Sequence, residues 1–391
     1  MQPRERNEAA WPASAANVQN LPFSEGDSSC IRVFLLGKSE GNNIFDRLYR
    51  TATEYIPNAL KSVLRVLCCG SDRGGIALDS AWNYTCNEAN PIVQIIYLSL
   101  VVGGYLLYVV FGYPLIPNTY LAAYHKYVGF LVFVLCIYTF AGASLADPGV
   151  ITKSNVKAIS EIYPMDNILF HDKECSTCKQ PKPARSKHCS LCNCCVARFD
   201  HHCVWINNCV GVNNVHWFIA FLLSNTFLCV YGAVVGVISL MALVQERNLW
   251  NARFINPNTG EQFSASYRII FQWLLTHEYI MIAMITLCTI MSIVLVGFTS
   301  WHLYLAATNV TTNESAKWRT LHDYLKKENK ESELDELRNI YDKGSVLANW
   351  RDVLWDRRDT RTLVDEGKPS ITEHKASNSH SKKSAGKRKK H

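Results

Sequence analysis

The sequence predicts an α-helical integral membrane protein with four transmembrane helices and a cytosolic, zinc-stabilised, cysteine-rich domain between helices two and three. Four uncharged apolar runs predict the helices, at Pro91–Tyr113, Tyr127–Ala146, about Trp217–Val244 and about Tyr279–Trp301. Each run reaches the roughly 20 residues that a helix needs to cross about 30 Å of hydrocarbon. Lipid offers the backbone no hydrogen-bond partner, so each run is expected to be helical.

The overall composition is less informative than its distribution along the chain. Hydrophobic residues make up 48% of the 391 positions and charged residues 19%, with a net charge of +7. Those values would also fit a soluble protein. The apolar residues gather in four blocks and the charges gather between them, which indicates several spans joined by aqueous segments.

Basic residues between the runs predict the orientation in the membrane. The segment Pro114–His125 contains no lysine or arginine. The segment between the second and third runs contains eight: Lys153, Lys157, Lys173, Lys179, Lys182, Arg185, Lys187 and Arg198. Because short basic loops stay on the cytosolic side, the cysteine-rich segment and both termini are expected there. The glycosylation sequons at Asn83 and Asn309 should then carry no glycan.

These patterns divide the chain into seven parts. They are a polar N-terminal arm over 1–44, a cytosolic amphipathic segment over 45–90, helices one and two over 91–146, the cysteine-rich domain over 147–216, helices three and four over 217–301, a cytosolic C-terminal packing segment over 302–355 and a basic tail over 356–391. The amphipathic segment is expected to lie either on the membrane surface or against the cytosolic domain. The arm and the tail are expected to be disordered. No internal repeat, P-loop or dinucleotide-binding motif is predicted.

Cysteine is concentrated in one short tract. Eight of the 15 cysteines lie between Cys175 and Cys209, together with three histidines, His188, His201 and His202. The repeated C-x-x-C spacing with interleaved histidine is typical of zinc sites. A disulfide framework or redox dithiol is the weaker alternative, because no secretory signal precedes the tract and the flanking charges place it in the reducing cytosol.

Counting ligands within the tract indicates a reactive group. Two tetrahedral sites of three cysteines and one histidine leave two cysteines and one histidine unused. The consecutive residues Asp200, His201, His202 and Cys203 place a carboxylate, imidazoles and a thiol together. A carboxylate can hold an imidazole in one tautomer, and the imidazole can take the thiol proton, leaving a nucleophilic thiolate. Counting alone leaves open that Cys203 is another metal ligand.

The tract resembles the cysteine-rich domain of the DHHC protein S-acyltransferases, or palmitoyltransferases. Three further motifs match that family: Asp147-Pro148-Gly149 after the second run, Thr311-Thr312-Asn313-Glu314 as its T-T-x-E, and Asn339–Gly344 with Asn349 as its C-terminal N-x-Y-D-x-G…N segment. The resemblance covers roughly residues 91–355, and the amino-acid sequence of the tract before His188 is similar to that of plant members. Thr311 and Glu314 also fit a capping box that opens a helix over Ser315–Asn329.

The resemblance implies roles for individual residues. One zinc ion would be held by Cys175, Cys178, His188 and Cys195, and a second by Cys189, Cys192, His202 and Cys209. Cys203 would be the nucleophile, His201 its base and Asp200 the residue that orients the base. Two positions depart from the family pattern, since Cys194 stands where a non-cysteine is usual and Val204 stands where many members have proline. Cys194 is therefore a possible competing ligand or a spare thiol.

The implied activity is protein S-palmitoylation. A long-chain acyl group, palmitoyl above all, would pass from acyl-CoA through a Cys203 acyl-enzyme to cysteines of membrane-proximal cytosolic proteins. The expected partners are acyl-CoA, such protein substrates and the lipid bilayer. The basic residues of the tract suit the phosphates of coenzyme A, or serve only as positive-inside charge. A nucleic-acid partner is not expected, because no basic recognition helix is present.

A function of a different class is the main alternative to acyl transfer. A zinc-dependent membrane adaptor or ubiquitin-ligase-like binding module would need the folded tract but no reactive thiol. That hypothesis leaves the succession of Asp200, His201 and Cys203 unexplained. The C-terminal Lys387-Arg388-Lys389-Lys390-His391 resembles a dilysine retrieval signal, so the endoplasmic reticulum is expected, with the Golgi or plasma membrane as alternatives.

Overall fold

The computed structural model describes residues 90–255, 260–330 and 337–355, with the single positions 76, 80, 84, 332 and 360. The predictions for the N-terminal arm and the amphipathic segment, and those for the basic tail with its retrieval signal, lie almost entirely outside the described residues. They stay predictions.

The described chain is mostly helical. Its α-helices are α1 (Ile92–Leu107), α2 (Tyr124–Leu145), α3 (Val156–Ile162), α4 (Val215–Glu246), α5 (Tyr267–His277), α6 (Tyr279–Ala307), α7 (Thr312–Lys327) and α8 (Val346–Trp350). Its strands are β1 (Glu174–Cys175), β2 (Gln180–Pro181), β3 (Lys187–Cys189), β4 (Cys194–Val196), β5 (His201–Cys203), β6 (Asn208–Val210), β7 (Arg253–Ile255) and β8 (Gln262–Ser264). The strands form four antiparallel two-stranded ribbons, each made of two strands that are consecutive in sequence.

Among the described residues, four helices are long and apolar enough to cross a membrane, which confirms the predicted spans. They are Ile92–Leu115, which is α1 extended by a π turn and a 3-10 turn, and α2, α4 and α6. α4 is 32 residues long and α6 is 29. Both exceed the predicted runs: α4 continues into polar residues at its two ends, His216 at one end and Gln245 and Glu246 at the other, whereas α6 continues through His302 into a further, mostly apolar turn. The chain is therefore a multi-pass membrane protein.

α4 is the central span, since it packs along both α2 and α6. Glycine permits the close approach on each side. A Cβ at Gly142 of α2 would lie 2.3 Å from Trp217, and one at Gly236 of α4 would lie 2.6 Å from Ile285 of α6. Hydroxyl pairs also cross these interfaces, as between Thr139 and Ser224 at 2.8 Å, where lipid provides no alternative partner.

The cysteine-rich domain is attached to the end of α2 by the Asp147-Pro148-Gly149 motif. The carboxylate of Asp147 accepts hydrogen bonds from the backbone of Gly149 and Val150, at 2.8 and 3.1 Å, and closes a turn. Gly149 adopts φ +100°, which favours glycine. The chain beyond it then pairs with β4, through Ala197 N–H to Gly149 C=O at 2.9 Å. The domain is thereby fixed directly beneath the spans.

The segment after α6 packs back on the domain. The Thr311 side chain accepts from Glu314 N–H while Glu314 accepts from Thr311 N–H, so the predicted capping box is confirmed at the start of α7. Asn349 is buried and donates to the carbonyl of Ala307 at 2.8 Å. The C-terminal motif thus ties the last turn of α6 in place.

Candidate active site

The cysteine-rich tract folds as three consecutive ribbons with one shared geometry. The paired residues that close each turn are Cys175 with Gln180, Cys189 with Cys194, and Cys203 with Asn208. Each turn also has one left-handed residue, namely Lys179, Asn193 and Asn207, with φ of 51°, 51° and 47°. The expectation of no internal repeat was wrong. The recurrence of cysteine at the first turn position of each ribbon was the available signal.

Eight side chains gather into two groups that could each hold a metal ion. The first group is Cys175, Cys178, His188 and Cys195, and the second is Cys189, Cys192, His202 and Cys209, with ligand atoms within 4.8 Å of one another. These are the same eight residues that the family resemblance implied. Each group takes the C-x-x-C turn of one ribbon and a histidine and a cysteine from the next ribbon.

The distances within both groups suit zinc. A tetrahedral ion with zinc–sulfur bonds of about 2.3 Å separates its ligand atoms by about 3.8 Å. The Sγ atoms of Cys178 and Cys195 are 3.7 Å apart, and those of Cys192 and Cys209 are 3.6 Å apart. The histidines present Nδ1 to the same sulfurs, for example His202 to Cys192 at 3.3 Å. Three thiols and one imidazole in a closed group are the donor set of a structural zinc site.

The third ribbon differs from the other two at one position. Ile206 stands where Cys178 and Cys192 stand in the first and second ribbons, and its side chain is fully buried among apolar residues. The chain then enters α4 at Val215, and the next ribbon, β7 with β8, lies beyond that span, so no neighbouring ribbon supplies further ligands to the third. Cys203 therefore has the turn position of a metal ligand, yet it belongs to neither group.

Strand geometry separates the two adjacent histidines. Successive side chains of a strand point to opposite faces, so His201 and Cys203 share one face of β5 and His202 lies on the other. His202 faces the second metal-binding group. Nδ1 of His201 lies 2.5 Å from Oδ2 of Asp200, and Nε2 of His201 is buried with no hydrogen-bond partner in the described protein. In the neutral ring, if Nδ1 carries the proton and donates it to Asp200, Nε2 is the nitrogen that can accept a proton. Nε2 lies on the Cys203 side of the ring.

A residue distant in sequence completes this arrangement. Thr312 donates its backbone N–H to Oδ1 of Asp200 at 2.7 Å and its hydroxyl to Oδ2 at 2.9 Å. Burial opposes the charge of the Asp200 carboxylate, but the hydrogen bond from His201 and the nearby positive charge hold its pKa well below the usual range. Asp200 is thus an ionised, fixed acceptor for the imidazole.

The surroundings of His201 favour its protonated form. Burial lowers the pKa of His201, whereas the hydrogen bond with Asp200 and the contact with the Cys203 thiol raise it, with a net value of about 10. An imidazole with this pKa keeps the proton that it has taken from the thiol. The pair His201 and Cys203 has the geometry and electrostatics of an activated nucleophile.

Comparison with known proteins agrees with this geometry. Residues 168–319 match the family model "DHHC palmitoyltransferase". The chain is 32% identical over 239 residues to palmitoyltransferase ZDHHC4 of Bos taurus, covering 61% of this chain and 69% of the bovine protein. It is 34% identical over 262 residues to palmitoyltransferase swf1 of Schizosaccharomyces pombe, covering 65% of this chain and 67% of the yeast protein.

The chain belongs to the DHHC palmitoyltransferase family. It is accordingly a protein-cysteine S-palmitoyltransferase. The alignment with palmitoyltransferase SWF1 of Yarrowia lipolytica, at 35% identity, is shorter and spans 51% of that protein.

The thiol of this DHHC protein lies against an apolar cluster formed by the spans. Cys203 is 3% exposed and packs with residues of α1, α2 and α4: Tyr97, Phe140, Phe218, Ile219, Phe221 and Leu222. The ring of Phe218 contacts His201 edge to face, with centroids 5.1 Å apart. Cys203 thus lies where the cysteine-rich domain meets the membrane-embedded part of the protein.

His302 was missed by sequence reasoning. It is a buried histidine of α6 whose ring centroid lies 5.7 Å from that of His201 and 4.5 Å from that of Phe298. It lines a small cavity together with Asp200 and Arg198. The available signal was an ionisable side chain within an apolar span, which commonly faces the protein interior and serves a function.

The T-T-x-E motif supports the DHHC site through a buried ion pair. Arg185 donates to both carboxylate oxygens of Glu314, at 2.6 and 2.8 Å, and its guanidinium lies 4.4 Å from the ring centroid of Tyr341. Arg185 and Arg198 are both buried, so within the tract the basic side chains at or near the surface are those of lysine. Arg185 also donates to Asn309 just after α6, so it joins the ribbon domain to α6, to the start of α7 and to the C-terminal segment.

The sequon at Asn309 lies inside the same cluster. Asn309 is fully buried, donates to the carbonyl of Tyr341 at 2.9 Å and accepts from Arg185 at 3.1 Å. A side chain in this position is inaccessible to a glycosyl donor, whichever side of the membrane it occupies.

Proposed function

We propose that Cys203 is the acyl-carrying nucleophile of this palmitoyltransferase, that His201 is its base and that Asp200 orients the base. One observation carries the proposal. Two thiols of the tract lie outside both metal-binding groups, Cys194 and Cys203, and of these Cys203 shares a strand face with a carboxylate-supported imidazole.

The first step loads the enzyme. Nε2 of His201 takes the Cys203 proton, and the thiolate attacks the carbonyl carbon of the acyl-CoA thioester. A carbon–sulfur bond forms to Cys203, the bond to the coenzyme sulfur breaks, and the coenzyme thiol leaves with the proton that His201 returns. Asp200, held by Thr312, stabilises the transient imidazolium.

The second step discharges the enzyme to a protein. His201 takes the proton of a substrate cysteine, and that thiolate attacks the thioester carbonyl on Cys203. The substrate thioester forms, Cys203 leaves as the thiolate, and His201 returns the proton to it. Cytosolic proteins with a cysteine close to the bilayer fit this reaction, because the site lies where the ribbons meet the spans.

Zinc is proposed as the metal of both groups. When bound, it closes each pair of ribbons into a rigid unit, as a structural site does when all four positions are filled by protein ligands. The chemistry of acyl transfer is assigned to Asp200, His201 and Cys203, and the metal has no open position for a substrate.

The two ends of acyl-CoA fit two environments. The acyl chain fits the apolar cluster beneath Cys203, where each buried CH₂ contributes roughly 0.8 kcal/mol. The phosphates fit the basic residues of the cysteine-rich tract that remain at or near the surface, namely Lys179, Lys182 and Lys187. We place this side of the membrane in the cytosol from the basic residues, and the enzyme in the endoplasmic reticulum.

The decisive experiment labels the purified full chain with an alkyne-tagged palmitoyl-CoA analogue. Wild type is compared with Cys203→Ser and with Cys194→Ser, which removes the other cluster thiol that lies outside both groups. Zinc content is measured on all three. We expect hydroxylamine-sensitive label in wild type and Cys194→Ser, and none in Cys203→Ser, with zinc content unchanged.

Two outcomes would contradict the proposal. Equal labelling of wild type and Cys203→Ser would place the acyl group on another cysteine, with Cys68 and Cys69 as the first to test. Loss of zinc in Cys203→Ser would make this residue a metal ligand and would favour the adaptor hypothesis.

A further inference from the structure

The connection between α4 and α6 lies at the opposite end of α4 from Cys203. Helix α5 forms the last part of this connection and ends two residues before α6 begins. Ile270 of α5 is buried against Val244 and Leu249, with Trp273 and Leu274 beside it. Val244 belongs to the last turn of α4, so this contact holds α5 at the depth where the span ends.

The surface of α5 has three sectors. One sector faces α4, as just described. A second is exposed and apolar, with Tyr267, Phe271 and Leu275 exposed by 83%, 58% and 44%. These residues follow one another at intervals of four, so they line one face of the helix.

The third sector is exposed and polar. Arg268, Gln272 and Thr276 each follow one residue after a member of the apolar row, about 100° further around the helix. The helix is therefore apolar toward the protein and along the adjoining face, and polar only on the remaining side. Trp250, 47% exposed, extends the apolar row through an edge contact with Tyr267 at 4.9 Å between ring centroids.

We propose that α5 is an interfacial helix whose apolar row, Trp250, Tyr267, Phe271 and Leu275, rests in the headgroup–acyl boundary of the bilayer. The occupant is lipid because the row adjoins the ends of two membrane spans, α4 and α6, which the same bilayer surrounds. Tryptophan and tyrosine are enriched at this depth of a membrane, and a helix with a polar outer face lies flat there.

Docking of α5 sets the position of the active site. α5 is packed on the last turn of α4, and the first turn of α4 directly follows β6 of the third ribbon. Fixing one end of α4 at the far interface therefore fixes the depth of the ribbon that presents Cys203 at the near one.

The test is photo-crosslinking of the full-length chain in phosphatidylcholine vesicles that contain an alkyne-tagged phosphatidylcholine. A benzophenone amino acid replaces Phe271 in one variant and Gln272, its neighbour on the polar side, in another. A third variant carries it at Leu287, an exposed position within α6. Palmitoyl-CoA labelling of each variant verifies that the active site is folded.

We expect several-fold more lipid adduct at Phe271 than at Gln272, with a yield close to that at Leu287. Equal adduct at Phe271 and Gln272 would overturn the proposal. A crosslinked dimer of the chain in place of the lipid adduct would also overturn it and would make the row an interface between copies. Leu275 and Thr276 form a second matched pair that decides the question if a variant at 271 or 272 does not fold.

Discussion

The first two ribbons and the third ribbon share a backbone but differ in the groups that surround their turn cysteines. In the first two, the turn cysteines Cys175 and Cys189 have a second turn cysteine and two ligands from the next ribbon. In the third, Cys203 has Ile206 as its turn partner and a helix after it. The turn presents a thiol in all three cases, and the presence or absence of further ligands separates the cysteines of the metal-binding groups from Cys203, the proposed nucleophile.

The largest effect is expected when one of the two metal-binding groups loses a ligand. Cys209→Ser removes one ligand of the second group, and structural zinc contributes about 10–16 kcal/mol of apparent binding energy in small domains. We expect one zinc to be lost, the domain to become protease-sensitive and acyl labelling to disappear. Zinc analysis and limited proteolysis measure this, and Cys203→Ser, with full zinc content, is the matched control.

The next effect separates the two adjacent histidines. His201→Gln should lower the rate of acyl-enzyme formation by about 10²–10⁴-fold, the usual contribution of a positioned base, with zinc content unchanged. His202→Gln should instead lose zinc, because its Nδ1 faces three cysteines. Single-turnover labelling with metal analysis tests both variants. Zinc loss in His201→Gln would contradict the assignment of faces on β5.

A smaller effect is expected at Thr312. Thr312→Val removes the hydroxyl donor to Asp200 and keeps the backbone donor. A hydrogen bond to a charged group contributes about 1.5–3 kcal/mol, so the acylation rate should fall by roughly 10–100-fold. A double-mutant cycle of Thr312→Val with Asp200→Asn tests whether Thr312 acts through Asp200. If Thr312 acts through Asp200, the double variant should be little slower than Asp200→Asn alone.

The side-chain hydrogen bonds that attach the ribbons to neighbouring segments should affect the stability of the protein more than its acylation rate. Asn208 donates to the carbonyls of Ala143, Ser144 and Ala146 at the end of α2, at 3.2, 3.2 and 2.8 Å. Gln180 holds the corresponding position of the first ribbon with a single hydrogen bond to Ile151, at 3.1 Å. We expect Asn208→Ala to lower the thermal unfolding midpoint by a few degrees and Gln180→Ala to lower it less. The reverse order, in a thermal-shift assay in detergent, would contradict this account.

The smallest effect is expected at Cys194. It occupies the same ribbon position as Asn208 and Gln180, and lies in neither metal-binding group. Cys194→Ser should therefore change neither zinc content nor acyl labelling. Loss of zinc in this variant would show that Cys194 competes as a ligand, as its position in the sequence allowed.

Several features were predictable because they depend on short-range sequence patterns. The spans follow from apolar runs of sufficient length, and the capping box follows from Thr311 and Glu314 three residues apart. The metal-ligand types follow from C-x-x-C spacing. The repeat is hard to detect in the sequence because Ile206 stands in place of the second cysteine of the C-x-x-C motif in the third ribbon.

The sequence by itself determined four spans, a cysteine and histidine tract able to bind metal, and a carboxylate, an imidazole and a thiol in immediate succession. Only the tertiary structure decided that Thr312, 112 positions from Asp200, holds that carboxylate, and that His302 lies beside His201. It also decided that Arg185 is a buried partner of Glu314 and not a surface charge. The physical reason is that hydrogen bonds and burial depend on proximity in space, which the folded chain sets independently of distance along the sequence.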